Sequence, residues 1–361
     1  MTIFVSVIQA LKRKNMAEVI ENKEVFSIDQ IEEPGDLHDV VFNLMVNPNL
    51  APVNYFNDFS DEGFELDSLE IEDTDGAGVF MTGNGQMMAM TTHALHHHLS
   101  NDPGAAAEIL ISRAVRRMAC YGARPLAVSA FLYHINIADP NGQIIASGAK
   151  KGLERAAARF GLTVSDRKIR FDYFSAHGPV SPTIIISLMG SVENKEKIRT
   201  HQLKTKGNNI FVIGHFYNDI NSSEYLEFYH GVQDSPLPMF DLDMEVRLQE
   251  VMAKLIDKGL ISSASPVGKG GLFFSLLRAG MPAGLGFDIT TDAEIRKDAF
   301  LFGESMGRII VGVPKANVDE FVDFMQGTRL PFFTLGHVTR GEIRIDDESF
   351  GFIDKMKPAK K

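Results

Sequence analysis

Residues 308–338 constrain the fold of this chain more than any other stretch. Residues 308–313 read as a strand, Val318, Phe321, Val322 and Met325 repeat at helical spacing, Gly327 closes that helix, and residues 332–338 read as a second strand. An amphipathic helix set between two strands must bury its apolar stripe on the sheet they build. This order therefore predicts an α/β or α+β domain with helices packed on one sheet face. The preceding segment repeats the pattern: residues 209–213 are strand-like, and Leu248, Val251, Met252, Leu255 and Ile256 form one helical face that Gly259 closes.

The first half of the chain has its own pattern. Residues 66–79 and 87–92 read as strands joined by the turn Thr82-Gly83-Asn84-Gly85, which predicts a hairpin. Pro103-Gly104 opens a long helix over 105–121, and Gly122 suits the left-handed position past its end. A strand over 126–133, a helix over 147–160 ended by Gly161, and a short β-branched strand over 183–188 follow. Residues 193–206 are charge-rich and mark a boundary. A chain of 361 residues suits two domains. The expected division is a lead-in over 1–40, an N-terminal domain over 41–195, a C-terminal domain over 205–345 and a Lys-rich tail over 346–361.

Charge narrows the partners. The chain carries 36 basic and 47 acidic residues, a net charge of -11, which argues against nucleic-acid backbone binding and leaves a nucleotide as a small ligand. Cys120, the one cysteine, cannot form an intramolecular disulfide, and no Cys/His spacing matches a zinc finger or ribbon. The apolar run over 3–11 precedes its basic residues, Lys12, Arg13 and Lys14, in the reverse order of a secretory signal. No stretch reaches the roughly 20 apolar residues of a membrane span. A cytoplasmic protein with no membrane partner is expected.

Several phrases then line up, in one order, with a known family. Leu44-Met45-Val46-Asn47-Pro48-Asn49-Leu50-Ala51 resembles "LLaxPNIAS", Asp73-Thr74-Asp75-Gly76 an Asp-containing strand start, and Gly122-Ala123-Arg124-Pro125-Leu126-Ala127 "GAxPLA". Ser181-Pro182-Thr183 resembles "PTP", Ser222-Ser223-Glu224-Tyr225 "GGSEY", residues 263–272 "SAHDVSDGGL", residues 301–308 "LFGESQGR", and Gly336-His337-Val338 "IGxV". Over about residues 40–340 the chain resembles the second half of the synthetase part of phosphoribosylformylglycinamidine synthase, in the superfamily of aminoimidazole ribonucleotide synthetase. Selenophosphate synthetase and the hydrogenase-maturation members of that superfamily need a functional Cys elsewhere than a mid-chain helix, so both fall.

The resemblance implies a two-domain α/β (α+β) fold. Its N-terminal sheet would pair with a second copy to give a homodimer, and the nucleotide would sit between the domains. It implies an ATP-dependent ligase of purine biosynthesis that activates an amide oxygen, after which ammonia displaces phosphate to give an amidine. The implied cofactors are ATP and Mg²⁺. Cys120 lies in an amphipathic helix and is read as an inert buried thiol, so ammonia would come from a separate glutaminase subunit.

Carried over by position, Asp75, Thr92, His93, Lys269, Gly270, Gly271 and Arg308 are the nucleotide or phosphate candidates. Ser223 and Glu224 are the substrate candidates, and Asp75 and Glu304 the metal candidates. The chain also departs from the pattern. Arg116-Arg117 stands where the family has Arg-Asn or Asn-Asp, and Ser265, Pro266 and Lys269 replace His, Asp and Asp. Lysine in place of a carboxylate reverses the local charge, which repels Mg²⁺ and attracts phosphate.

Alternative readings compete at most of these positions. Gly268-Lys269-Gly270-Gly271 is either an anion cradle at a helix start or a tight turn needing unusual dihedrals. His93, His96, His97 and His98 either ligate a metal or make ordinary hydrogen bonds in a loop. Arg113, Arg116 and Arg117 form either an anion site or a salt-bridged helix face. Ser223-Glu224 either binds substrate or caps a helix, and Asp75 either meets the nucleotide or holds a turn. Two functions follow. One is the ligase; the other is a catalytically degenerate homodimeric binding protein that keeps at most a phosphate pocket.

Overall fold

The computed structural model describes residues 26–50, 77–83, 85–95, 98–169, 174–175, 178–233 and 235–356. Ahead of either sheet, α1 (Leu37–Leu44) starts at Asp36, whose Oδ1 accepts the His38 N–H at 2.8 Å, and buries Val40, Val41 and Leu44. The segment before it is held as well: Arg296 Nη1 donates to the carbonyls of Ile28 and Ile31 at 3.0 and 2.8 Å. Residues expected only to lead in therefore pack on the second half of the protein.

β1 (Ala77–Met81) and β2 (Met87–Leu95) form the expected antiparallel hairpin, with Met81 opposite Met87. Residues 66–76 of the first expected strand lie outside the described residues, as does Asn84 of the turn. α2 (Pro103–Tyr121) has proline in its first turn, where a missing N–H costs nothing. Asp102 caps it, and Gly122 ends it at φ 75°. β3 (Arg124–Tyr133) follows, then α3 (Pro140–Arg159) and β4 (Thr163–Ile169). The helix begins at Pro140, ahead of the expected 147. Next come the two-residue strands β5 (Phe174–Ser175) and β6 (Gly178–Pro179), which pair with each other, and the long strand β7 (Thr183–Val192). The first sheet has the order β1-β2-β7-β3-β4, parallel only between β3 and β4.

Helices α2 and α3 cover one face of this sheet, burying Ala89, Val128, Ala130, Ile184, Ile186 and Leu188 beneath them. The other face carries Phe80, Met90 and Met189, all exposed, with Met90 directly opposite Met189 on the neighbouring strand.

The second sheet is built from β8 (Asn209–Ile213), β9 (Ser263–Pro266), β10 (Phe287–Ile289), β11 (Ile309–Val313), β12 (Phe332–Val338), β13 (Glu342–Ile345) and β14 (Glu348–Phe352), in the order β14-β13-β10-β12-β8-β11-β9. Four helices accompany it: α4 (Leu242–Asp257), α5 (Gly271–Gly280), α6 (Lys297–Phe302) and α7 (Val318–Thr328). Contrary to the expectation from the sequence pattern, they do not share one face. Ile210 and Val212 of β8 pack into a core with α1, α5 and α6, whereas Phe211 and Ile213 pack into a core with α4 and α7. The continuous apolar run of β8 is the signature of a strand buried on both faces.

Two smaller corrections concern ends. α7 runs through Gly327, and the residue that turns left-handed after it is Arg329, at φ 61°. The expected tail over 346–361 is folded as far as Met356: β14 pairs with β13, and Phe350 and Ile353 are buried. Ala119 and Cys120 of α2 belong to the α4 core, so α2 joins the two sheets and borders the cleft between them. Among the described residues no helix is long and apolar enough to cross a membrane.

Candidate functional site at the cleft between the sheets

The end of β2, one side of α2, and the loops before α5 and after α6 enclose a cleft with an empty volume of about 570 Å³, part of it open to solvent. Its charged lining is Arg113, Glu224, Glu227, Lys269 and Glu304, with His98 at the rim.

Glu224 is the centre of the arrangement. It is 7% exposed, and both carboxylate oxygens are engaged. Lys269 Nζ donates to Oε1 at 2.8 Å, while the Nδ2 groups of Asn47 and Asn49 donate to Oε2 at 2.9 and 3.0 Å. Burial pushes this carboxyl up, but the bonds from Lys269, Asn47 and Asn49 outweigh it and hold the group below its ordinary range. Lys269 itself is about half exposed.

Glu304 follows α6 and turns inward. Its Oε1 accepts the backbone N–H of Glu224 at 2.9 Å and that of Gly270 at 2.8 Å, tying the two loops together. Burial raises its carboxyl against those two bonds and the charge of Arg113. Glu227 is likewise pushed up by burial, with the charge of Glu224 adding to it. Among the described residues, Arg113 is the guanidinium that lines the cleft. Burial lowers its pKa, and the charge of Glu304 opposes that.

The glycine loop is shaped by sterics. Gly270 and Gly271 have φ of 75° and 70°, and a Cβ on Gly271 would lie 2.6 Å from the Leu301 carbonyl oxygen. A Cβ on Gly270 would lie 2.8 Å from Leu50 and Phe274. The Gly270 N–H expected to face an external anion donates to Glu304 instead, so a carboxylate of the protein fills the cradle. Lys269 remains as the group of that loop directed to the cleft.

The other expected residues take varied places. Arg308 is 1% exposed and donates to the carbonyls of Gly303 and Ser305, bracing the loop that carries Glu304. Burial lowers its pKa to about 10. Ser223 is buried; its Oγ accepts the Leu226 N–H at 3.1 Å, the capping reading of this residue. Thr92 meets Ser187 on the open sheet face, and His93 Nε2 lies 2.9 Å from Thr91 Oγ1. Ala94, Leu95 and His98 are the residues near the end of β2 that border the cleft. Arg116 pairs with Glu245 in the interior, and Pro266 ends β9 opposite Ile309. Asp75, His96 and His97 lie outside the described residues.

Asn47 and Asn49 were missed as site residues. They stand in the Asn-Pro-Asn phrase of the resemblance, but nothing in their local sequence points to a carboxylate 177 and 175 residues away.

A divalent cation needs free carboxylate oxygens grouped around it. Both oxygens of Glu224 and Oε1 of Glu304 already accept hydrogen bonds, Glu227 is the further carboxylate of the cleft, and among the described residues no three His, Cys, Asp or Glu side chains assemble as a metal site. The described residues do not fit Mg²⁺. Arg113 and Lys269 do fit an anion such as phosphate.

Comparison with known proteins agrees with this architecture. The family model described as AIR synthase related protein, N-terminal domain, matches residues 74–192, and its C-terminal-domain counterpart matches residues 205–347. The phosphoribosylformylglycinamidine synthase subunit PurL of Alkaliphilus metalliredigens is 26% identical over 318 residues, covering 88% of this chain and 43% of its own. That of Caldanaerobacter subterraneus subsp. tengcongensis is 26% identical over 349 residues, covering 96% and 47%. The chain thus spans less than half the length of these relatives. Among solved structures, Thermotoga maritima PurL complexed with FGAR superposes with a TM-score of 0.70 at 14% identity, over 97% of this chain and 57% of that one. The same protein complexed with ATP gives 0.65 at 15% identity, over 97% and 56%. With both domain models matched in order over most of its length, the chain belongs to the AIR synthase related proteins.

Proposed function

We propose that this chain is a PurL-like, ATP-dependent ligase component of purine biosynthesis that holds a nucleotide in the cleft between its two sheets. The observation that carries this reading is that Arg113 and Lys269 both line that cleft, between two halves that each match the family. The family resemblance implies the chemistry. The amide oxygen of formylglycinamide ribonucleotide takes the γ-phosphoryl group as ADP leaves, and ammonia then displaces phosphate to give the amidine. Such a transfer depends on positioning and charge neutralisation more than on covalent catalysis.

In this chain Arg113 and Lys269 neutralise phosphate charge. Glu304 and Arg308 fix the loops that present those groups, and Asn47 and Asn49 orient Glu224. The molecule acts in the cytoplasm as a homodimer joined through the open face around Phe80, Met90 and Met189, and a separate glutaminase supplies ammonia.

The test is ADP release by the purified chain with ATP, formylglycinamide ribonucleotide and ammonium chloride, omitting each in turn. Release that requires both the ribonucleotide and ammonia supports the ligase. Nucleotide binding without turnover under these conditions, in the presence and absence of Mg²⁺, refutes it in favour of the degenerate binding protein.

A further inference from the structure

Among the described residues of the cleft, no three His, Cys, Asp or Glu side chains assemble as a metal site, and the carboxylate at its centre already serves the protein. Glu224 is fully engaged by Lys269, Asn47 and Asn49, and Glu304 accepts two backbone N–H groups. The position a free cation would take beside Glu224 is held by the Lys269 ammonium, 2.8 Å from Oε1. The two partners differ in freedom. The Glu224 side chain is 8% exposed and fixed from its other oxygen, whereas the Lys269 side chain is 52% exposed on a flexible four-carbon stem. The ammonium can therefore turn into the cleft without disturbing the loop, whose backbone is held by Glu304 and by Arg278 Nη2 on the Lys269 carbonyl.

From this we infer that Lys269 is the resident counter-ion of the site: the polyphosphate of a nucleotide binds here without a divalent cation, taking the Lys269 ammonium from Glu224 while Arg113 contacts it from α2. The inference rests on the nucleotide reading above and deepens it. A second cation entering beside Glu224 would meet the Lys269 ammonium at like charge, whereas a phosphate would meet two cations of the cleft lining.

The experiment is calorimetric titration of ATP, and separately of inorganic tripolyphosphate, into the intact chain with EDTA and with excess Mg²⁺. ATP is expected to bind in EDTA with a Kd within about threefold of the Mg²⁺ value. Lys269→Met should weaken binding in EDTA about tenfold or more, the loss of one charge-assisted contact. Lys269→Arg, which keeps the charge, should stay close to wild type, and Lys269→Asp should bind ATP only with Mg²⁺. Tripolyphosphate binding as tight as ATP would assign the contact to phosphate alone; ATP binding much tighter would add the nucleoside to it, and both agree with the counter-ion role. Wild-type binding that appears only with Mg²⁺, or a folded Lys269→Met variant with unchanged affinity, overturns the inference and leaves the nucleotide reading standing. No ATP binding in either buffer overturns both.

Discussion

Arg116 on α2 and Glu245 on α4 lie 3.2 Å apart with side chains 3% and 1% exposed, a buried ion pair that bridges the two sheet bodies. Burial pushes the Glu245 carboxyl up, and the charge of Arg116 opposes it. Removing one partner strands a charge in the interior. Glu245→Gln is expected to cost roughly 3–5 kcal/mol in urea unfolding followed by circular dichroism. The double change Arg116→Met with Glu245→Leu should recover most of that loss, because it removes both charges and keeps the volume. A double variant no more stable than the single one would show that the pair is worth more than its desolvation.

Acid should act on Glu224 in a defined window. Its folded-state pKa is held below the ordinary 4.5, so its ionised form contributes stability above that value and loses it as pH falls through the lower folded value. Melting curves of wild type and Glu224→Gln should differ by a constant amount from pH 7 to about 4.5 and converge below it. Convergence already near pH 6 would show that Lys269 and the two asparagines do not hold the carboxylate as described.

The open face of the first sheet predicts an oligomeric outcome. Phe80, Met90 and Met189 form an apolar surface where most antiparallel sheets place polar groups. Met90→Glu is expected to turn the proposed dimer into a monomer in light scattering, with the melting temperature lowered by the loss of association. A dimer that survives both Met90→Glu and Met189→Glu would place the contact elsewhere.

Cys120 gives a reading of the fold in solution. It is buried in the core shared by α2 and α4, and burial pushes its thiol up to about 12. An aromatic disulfide reagent at pH 8 should leave it unmodified in the folded chain and react stoichiometrically in denaturant. Rapid labelling without denaturant would mean that the α2–α4 contact opens freely.

Local chemistry made part of this architecture legible. The turn before β2, Gly122 after α2, and the apolar face of α4 each follow from a rule that acts within a few residues. What stayed hidden was decided by distant packing. The first two turns of α3 include Gly142, and Gly148 and Gly152 follow, all poor helix formers. A Cβ at Gly152 would lie 2.1 Å from the Gly104 carbonyl oxygen and one at Gly148 2.5 Å from Pro103, so these two glycines admit α2, while Gly142 admits the Asn136 carbonyl. The sequence of β9, Ser-Ala-Ser-Pro, lacks β-branched residues and is a strand because β11 pairs with it. In the cleft, the charge reversal at Lys269 was visible in the sequence. Its partner was not, since the bond to Glu224 spans 45 residues and belongs to no periodic pattern.

The place of β8 in the second sheet has a consequence for biosynthesis. Its partners on the two sides, β11 and β12, begin at Ile309 and Phe332, about a hundred residues further along the chain. A ribosome therefore releases this strand, with Ile210, Phe211, Val212 and Ile213 all apolar, well before anything exists to pair with it. That apolar segment therefore waits for several seconds of translation, exposed to non-native pairing, before its sheet can close around it.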